Sequence, residues 1–377
     1  MGKNMYAICS LFIILVLSAC SPLEIASNLT NSENTEEVNV VKEHVPLQHP
    51  TVTVSKPVPP KPEKTSITLS AAGDFTIGSD DSFGYDGTFK HEADRNGLSF
   101  FTENIKSLFS ADDFTSVNLE TTLTTSTQKA EKTFRFKGDP AYTQILNEGS
   151  IEAVNLANNH IYDYLQKGFQ DTVTNLQANN VGYFGNGYQH LSTVKGIKIG
   201  AIGYNGWNDT YEIRNQIKAD IDTLRGQGAH IVLVHFHWGE ERSYVPNATQ
   251  KSLGRYTIDS GADLVLGHHP HVLQGIEEYN GKFIVYSLGN FMFGGNRNPS
   301  DKDTMVFQQV FHFEDGELLD QKEVNVIPFS ISSVSSRNNY QPTPLQGTEA
   351  KRVRSKVLEL SARISEPVWV AYEGKQN

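Results

Sequence analysis

The sequence predicts an α/β layered fold, and three observations carry that prediction. Apolar runs of strand length recur at intervals filled by amphipathic, helix-length stretches. Five of those runs end abruptly in unusual polar residues, and late in the chain the pattern changes to hairpins. Alternation of this kind builds a sheet covered by helices, and the later hairpins favour a second, more antiparallel sheet packed on the first. The expected architecture is two packed mixed β-sheets flanked by helices.

The elements follow in order. "SITLSAAGD" reads as a strand, "GLSFFTENIKSLFS" as a helix, "FTSVNLE" as a strand, "AYTQILNEG" as a helix and "IEAVNLANNH" as a strand. Next come the helix "GFQDTVTNLQANN", the short strands "TVKG" and "IKIGAIGYN", and the helix "IRNQIKADIDTLRGQG". The strand "HIVLVHFHWG", the helix "TQKSLGRYTIDSG" and the strand "DLVLGHHPH" complete the alternating part. "GIEEYNGKFIVYSLGNF" is a hairpin whose turn is Asn280-Gly281, a pair suited to a tight two-residue connection. Two further strands are expected near 304–313 and 321–328. The domain is thus placed at 66–330, followed by a weakly structured tail, 331–377, with a helix near 348–363.

Ahead of the domain, an apolar run from about Ala7 to Ser18 is too short to span a membrane and fits a signal-peptide core over residues 1–19. Leu17-Ser18-Ala19-Cys20 places a small residue before a cysteine just after that core, a pattern resembling the lipobox of bacterial lipoproteins, with Cys20 as the lipidated residue. The alternative is an uncleaved signal anchor with an incidental cysteine. Either reading puts the domain on the extracytoplasmic face of the cell membrane. Residues 20–65 are polar and proline-rich, a semi-extended, disordered tether reaching roughly 3 Å per residue.

Composition narrows the function. At 38% hydrophobic and 10% aromatic the 377-residue chain is that of a globular protein. Its formal charge is −11 with no cluster of Lys or Arg, which leaves nucleic-acid binding without an electrostatic basis. Apart from Cys20 the chain has one cysteine, Cys9, which lies in the leader, so a metal site in the domain must use His, Asp, Glu and Asn.

Those residue types stand at the strand ends: Asp74 in "AAGD", Asn118 and Glu120 in "VNLE", Asn158, Asn159 and His160 in "LANNH", His235, His237 and Glu240 in "VHFHWGEE", and His268, His269 and His271 in "GHHPH". Ligands collect outside the carboxyl ends of strands in open α/β sheets, so segments distant in sequence would converge there. Taken singly each is weak, since a lone strand-end histidine is commonly a hydrogen-bonded structural residue. Carboxylate, imidazole and amide oxygen without thiolate suit a divalent ion such as Mn, Fe or Zn, one or two of them. Pro270 pushes its predecessor toward extended backbone, which would turn His269 and His271 to one side and His268 to the other.

The ordered set GD, NLE, NNH, HWGxE, GxHPH and "YSLGNFMF", spread from about Ile67 to Phe313, resembles the CapA family of capsule-synthesis proteins, also called PgsA. That family is associated with poly-γ-glutamate and belongs to the calcineurin-like metallophosphoesterase superfamily. The resemblance implies that fold. It implies Asp74, Glu120, Asn159, His235, His269 and His271 as metal ligands, with Glu120 in the bridging place, and His160 as a substrate-facing acid. The usual Asp-x-His of the first motif is Asp74-Phe75-Thr76 here, the bridging Asp is Glu120, and the Gly before Asn-His is Asn158. A first ion would therefore have one imidazole fewer.

Around these, Asp163 either orients His160 or caps the following helix. His237 is expected beside the ligands with Asn118, His268 and Asn290; Glu240 is a base or the first turn of a solvated helix; Trp238 is a cleft wall or core. Ser287 is expected as a hydrogen-bonding turn residue, and Phe291 and Phe293 as core. Three functions follow. The first is a lipid-anchored protein assisting poly-γ-glutamate synthesis or export beside a membrane synthase. The others are a metal-dependent hydrolase of phosphodiester or γ-glutamyl amide bonds, and a binding module around a structural ion.

Overall fold

The computed structural model describes residues Pro62–Gly374. The expected signal peptide, Cys20 and nearly all of the tether lie outside the described residues. Among the described residues no helix is long and apolar enough to cross a membrane.

Two mixed sheets face each other. The first has the strand order Thr343–Pro344, Glu317–Ser330, Asp303–Glu314, Lys64–Thr76, Phe114–Leu119, Ala153–Asn155, Gly182–Phe184, with Asn290–Phe293 pairing alongside the end of Lys64–Thr76. The second runs Ile276–Tyr279, Lys282–Val285, Leu264–His268, Ile231–Trp238, Ile197–Gly206, His190–Val194. A small sheet of Ser79–Asp80, Phe136–Gly138 and Thr122–Leu123 stands apart from both.

The period-2 alternation of strands sorts the apolar residues into layers. Leu69, Ala71, Phe114 and Phe307 of the first sheet meet Ile199, Leu233, Leu264 and Phe283 of the second in a shared core. On the opposite face of the second sheet, Val232, Val234 and Val265 pack under Ile217, Ile221 and Leu224 of helix Tyr211–Gly226 and Leu253 of helix Ala248–Asp259. The first sheet is covered in the same way, with Val117 and Val154 against Ile145, Val173 and Leu176. Helix, sheet, sheet and helix is therefore the layering, as the alternation indicates.

The allocation of strands between the sheets differs from the sequence expectation. After Phe184 the chain crosses over, so the strands from His190 to His268 build the second sheet. The late pair returns to the first sheet, Asp303–Glu314 antiparallel to Lys64–Thr76 and Glu317–Ser330 antiparallel to Asp303–Glu314, while the hairpin 276–285 extends the second. Hydrophobic patterning reports which face of a strand is buried but not which neighbour it pairs with. In the hairpin, Tyr279 pairs with Lys282 across Asn280 and Gly281, whose φ of 48° and 75° suit the two-residue turn.

The stretch "GLSFFTENIKSLFS" is a 3-10 turn at Ser99–Phe101 and a short helix at Lys106–Phe109 rather than one helix. Side-chain bonds from Thr102 to the Ser99 carbonyl and from Asn104 to Thr343 compete with the helical ladder there. The tail expected at 331–377 has its helix at Gly347–Ala362, close to the expected 348–363, but that helix is not peripheral: Val353, Val357 and Leu360 enter the core between the sheets with Trp369. Each such side chain contributes on the order of 1.5–3 kcal/mol of burial. The spacing of the three is helical, but the polar residues between 331 and 346 mask the connection.

Candidate metal centre

The strand ends converge. Across the first sheet Asn290, Asp74, Asn118 and Asn155 stand in register on four neighbouring strands. Across the second, Asn205, His237 and His268 do the same. The approach of the first strand to its neighbour requires glycine: a Cβ on Gly73 would lie 2.0 Å from the Gly289 carbonyl oxygen, which accepts from the Asp74 N–H at 3.0 Å. That contact gives the "GD" and "LGN" segments their common place.

The amides of the first row form a directed chain. The Ala157 N–H donates to Asn155 Oδ1 at 3.0 Å, Asn155 Nδ2 donates to Asn118 Oδ1 at 3.0 Å, and Asn118 Nδ2 donates to Asp74 Oδ1 at 2.8 Å. A second backbone donor, the His160 N–H to Asn158 Oδ1, turns Asn158 Nδ2 onto Leu119 O and Asn118 Oδ1. Both anchors orient the Asn118 amide identically. Its Nδ2 also lies 3.3 Å from His237 Nδ1, which must then accept. The His237 proton is therefore on Nε2, facing Asn159 Oδ1 at 2.9 Å and Glu120 Oε1 at 3.4 Å.

Glu120 is the exceptional group. It is fully buried, and neither carboxyl oxygen has a hydrogen-bond partner among the described residues. Burial, and next the neighbouring Asp74 charge, push its carboxyl well above the usual range. Asp74 is equally buried, yet His268 and His271 outweigh that burial and hold it well below the usual range. One oxygen from Glu120 and one nitrogen each from His269 and His271 lie within 4.8 Å of one another. Leaving a buried carboxylate unpaired is costly, and a cation between these atoms would offset it.

His271 is oriented to serve such a cation. Its Nδ1 lies 2.9 Å from Asn290 Oδ1, and Asn290 Nδ2 donates back to the His271 carbonyl, which leaves Nε2 toward Glu120 at 3.8 Å. Its Nδ1 is also 3.1 Å from Asp74 Oδ2. Burial opposes a charge on this ring, but Glu120 and Asp74 raise its pKa to about 9. His269 is held at about 4 by burial and by His271, and its Nδ1 has no partner. The two rings reach the site from left-handed backbone, φ 93° at His269 and 57° at His271, not from the extended conformation that Pro270 suggested. Such conformations cost about 1–3 kcal/mol each and concentrate at ligand sites.

His235 is not part of this group. It is two residues from His237 and shares its face, but its Nε2 meets Ser116 Oγ at 3.0 Å and its Nδ1 meets His268 Nε2 at 2.9 Å. Both nitrogens are spent deep between the sheets, because moving two residues down a strand moves the side chain some 7 Å from the sheet's end. His268 faces this inner pair and keeps Nδ1 3.5 Å from Asp74 Oδ1. Asn159 is exposed, with only its oxygen turned inward to His237.

His160 and Asp163 form a pair at 2.7 Å between Nδ1 and Oδ2. Lys132 and the Phe136 N–H also donate to Asp163, and helix Leu165–Ala178 begins without a side-chain cap, so Asp163 orients the histidine. Burial lowers the His160 pKa against the pull of Asp163, and its Nε2 stands 4.0 Å from Glu120 Oε1. Glu240 faces solvent, and its neighbour Glu241, on which the HWGxE pattern ends, lines the cleft with Arg242, His160 and His271. Trp238 is core, donating to the Tyr286 carbonyl, and Ser287 donates to the Val272 carbonyl. Phe291 is core, whereas Phe293, also buried, lies tilted against the His271 ring at 4.9 Å between centroids and lines the cleft.

Three contributors escaped the sequence. Trp207 covers His269 and His237 edge-on, at 4.7 and 5.6 Å between ring centroids; it follows a strand end, which was a usable signal. Lys132 lies in an irregular connection, and Phe136 opens the strand Phe136–Gly138, which is too short to show a period.

A profile of the family described as bacterial capsule synthesis protein PGA_cap matches residues 68–295. The chain belongs to this family. It is 29% identical over 302 residues to the capsule biosynthesis protein CapA of Bacillus anthracis, covering 73% of this chain and 71% of that one. It is 31% identical over 221 residues to the PGA biosynthesis protein CapA of Bacillus subtilis, covering 53% and 58%. Among solved structures, a phosphatase of Mycoplasma pneumoniae aligns at 15% identity and a TM-score of 0.42, covering 71% of this chain and 95% of that one. A hypothetical protein of Thermus thermophilus aligns at 16% and 0.43, covering 70% and 99%.

Proposed function

We propose that this member of the capsule synthesis family is a lipid-anchored, extracytoplasmic protein that assists poly-γ-glutamate synthesis or export through a divalent-metal site. The observation that carries the metal is Glu120: a buried carboxylate with both oxygens unpartnered, set against Asp74 and within reach of His269 and His271. Family membership and the relatives named for capsule and PGA biosynthesis support the process. The leader, the Cys20 pattern and the tether support the location, beside a membrane synthase or export complex.

Glu120, His269 and His271 would hold the ion, with Asp74 behind His271; the absence of thiolate fits Mn, Fe or Zn. When bound, it supplies Lewis acidity toward a carbonyl or phosphoryl oxygen. His237 donates from Nε2 to Asn159 Oδ1 and flanks Glu120 without a hydrogen bond to it. A second reading, hydrolysis of a γ-glutamyl amide or a phosphodiester, is favoured by His160, whose Nε2 opens to the cleft and whose ring Asp163 fixes for delivering a proton to a leaving group.

Full-length protein purified in detergent without chelator should contain a divalent metal, and the His269→Ala, His271→Ala double variant should not. Metal-free wild-type protein removes the reading. Incubation with γ-linked glutamate polymer and with bis(p-nitrophenyl) phosphate separates the roles: turnover lost in His160→Ala supports hydrolysis, and polymer binding without turnover supports assistance. Cys20→Ser should leave the precursor unlipidated.

A further inference from the structure

Beside the metal centre lies a cleft of about 350 Å³ lined by arginine and aromatic side chains. Arg214, Arg225, Arg255, Arg337, Arg352 and Arg354 each hold a carboxylate. Arg242 and Arg297 line the cleft and take part in none of the ion pairs among the described residues; Arg95, Arg135 and Arg363 are also outside those pairs but do not line it. Arg242 follows Glu241 in a turn with φ 62° whose N–H donates to the Pro270 carbonyl, so it is tied to the His269–His271 segment. Arg297 spreads over the Phe83 ring at 5.7 Å, and its only side-chain hydrogen bond is a long one, 3.3 Å to the Asp86 carbonyl.

The remaining walls are aromatic. Phe83 and Phe134 meet edge to face at 6.5 Å, and Phe134 is 52% exposed. Two free guanidinium groups suit planar anions, which they can grip with paired N–H bonds. Phenyl faces suit short methylene segments between those anions. Glu241 decides between anion types, because it stands free on the same rim and repels a ligand that offers only negative charge. A ligand with amide N–H donors interspersed among its carboxylates can instead donate to Glu241. Asp301, also on the lining, is already held by Lys356 and Tyr244 and does not oppose the arginines in the same way.

We propose that Arg242, Arg297, Glu241 and the Phe83–Phe134 pair form a subsite for a carboxylate-bearing polyamide with short methylene spacers, and that this subsite passes the chain over His160 and His271. The inference rests on the polymer-handling reading and assigns it a recognition surface. Carboxylates lie on the arginines, methylenes on the phenyl rings and an amide N–H on Glu241.

The test is calorimetric titration of the full-length protein with a γ-linked glutamate decamer and, separately, with a thymidylate decamer as a phosphodiester probe. The Arg242→Ala, Arg297→Ala double variant should weaken the glutamate decamer at least tenfold with metal content unchanged; both side chains are exposed, so folding is not at stake. Phe134→Ala should weaken it about threefold. Glu241→Gln should lower the preference for glutamate over thymidylate at least threefold. Unchanged affinity in the double arginine variant, or tighter binding of thymidylate by the wild type, overturns the subsite. Metal-free wild-type protein that still shows the arginine effect would remove the metal reading and leave this one standing.

Discussion

Two groups of polar side chains lie only a few residues apart, one inside the sheets and one at their mouth, and they contrast sharply. The inner group, Ser116, His235 and His268, is linked by contacts of 2.9 and 3.0 Å, with both nitrogens of His235 engaged. The outer group, Glu120, His269 and His271, leaves both Glu120 oxygens and His269 Nδ1 without partners. Residue type does not distinguish them, since both are rich in histidine, and burial separates them only at the half-buried His271. What separates them is how far hydrogen-bonding capacity is spent inside the protein: in the inner group only His268 Nδ1, 3.5 Å from Asp74 Oδ1, lacks a hydrogen-bond partner among the described residues. Spent capacity marks a structural group, and unspent capacity marks a place for something else.

The largest effect expected from that contrast is on the outer group. Glu120→Gln should abolish metal binding, weakening it at least 100-fold, while the metal-free protein becomes more stable because an unpaired buried carboxylate is gone. Metal analysis together with urea unfolding in the presence of chelator checks both halves; retained metal would show that Glu120 is not a ligand. On the inner group the effects should be reversed. His235→Ala should cost about 2–4 kcal/mol in urea unfolding, from a cavity and two stranded partners, with metal stoichiometry intact. Loss of metal with stability unchanged would erase the distinction.

A smaller effect tests whether an unpartnered oxygen alone implies a site. Asp112, just before the strand that leads to Glu120, also has one, its Oδ1, and burial raises its pKa to about 6. It has no histidine neighbours of the kind that Glu120 has. Because the folded value exceeds the unfolded one near 3.8, its contribution is fully present below pH 3.8 and is lost as pH rises through 6. Asp112→Asn should therefore be more stable than wild type by about 1 kcal/mol at pH 7, allowing for its partial exposure, and indistinguishable at pH 3. Unfolding curves at the two pH values check this, and metal content should not change.

Much of the architecture was legible before any coordinates. The alternation of runs carried the layered fold, and the polar strand ends carried the convergence of Asp74, Glu120, His160, His269 and His271. The legible part depended on local pattern and on the rule that strand ends gather on one edge. The illegible part depended on depth and direction. Nothing in "VHFHW" tells that His235 is saturated by Ser116 and His268, because Ser116 belongs to the other sheet. Nothing in "GHHPH" announces left-handed backbone at two histidines, because Pro270 locally argues for the opposite and only the surrounding contacts impose it.

By itself the sequence determined the layers, the identity of the polar residues at the strand ends and the ligand chemistry they permit, since these follow from periodicity and functional groups. The tertiary structure decided which sheet each strand joined, which histidines kept a free nitrogen, and which arginines faced the cleft without a carboxylate. Those are properties of pairs of residues far apart in the chain, fixed by register between strands and by competition for hydrogen bonds in a buried, crowded space.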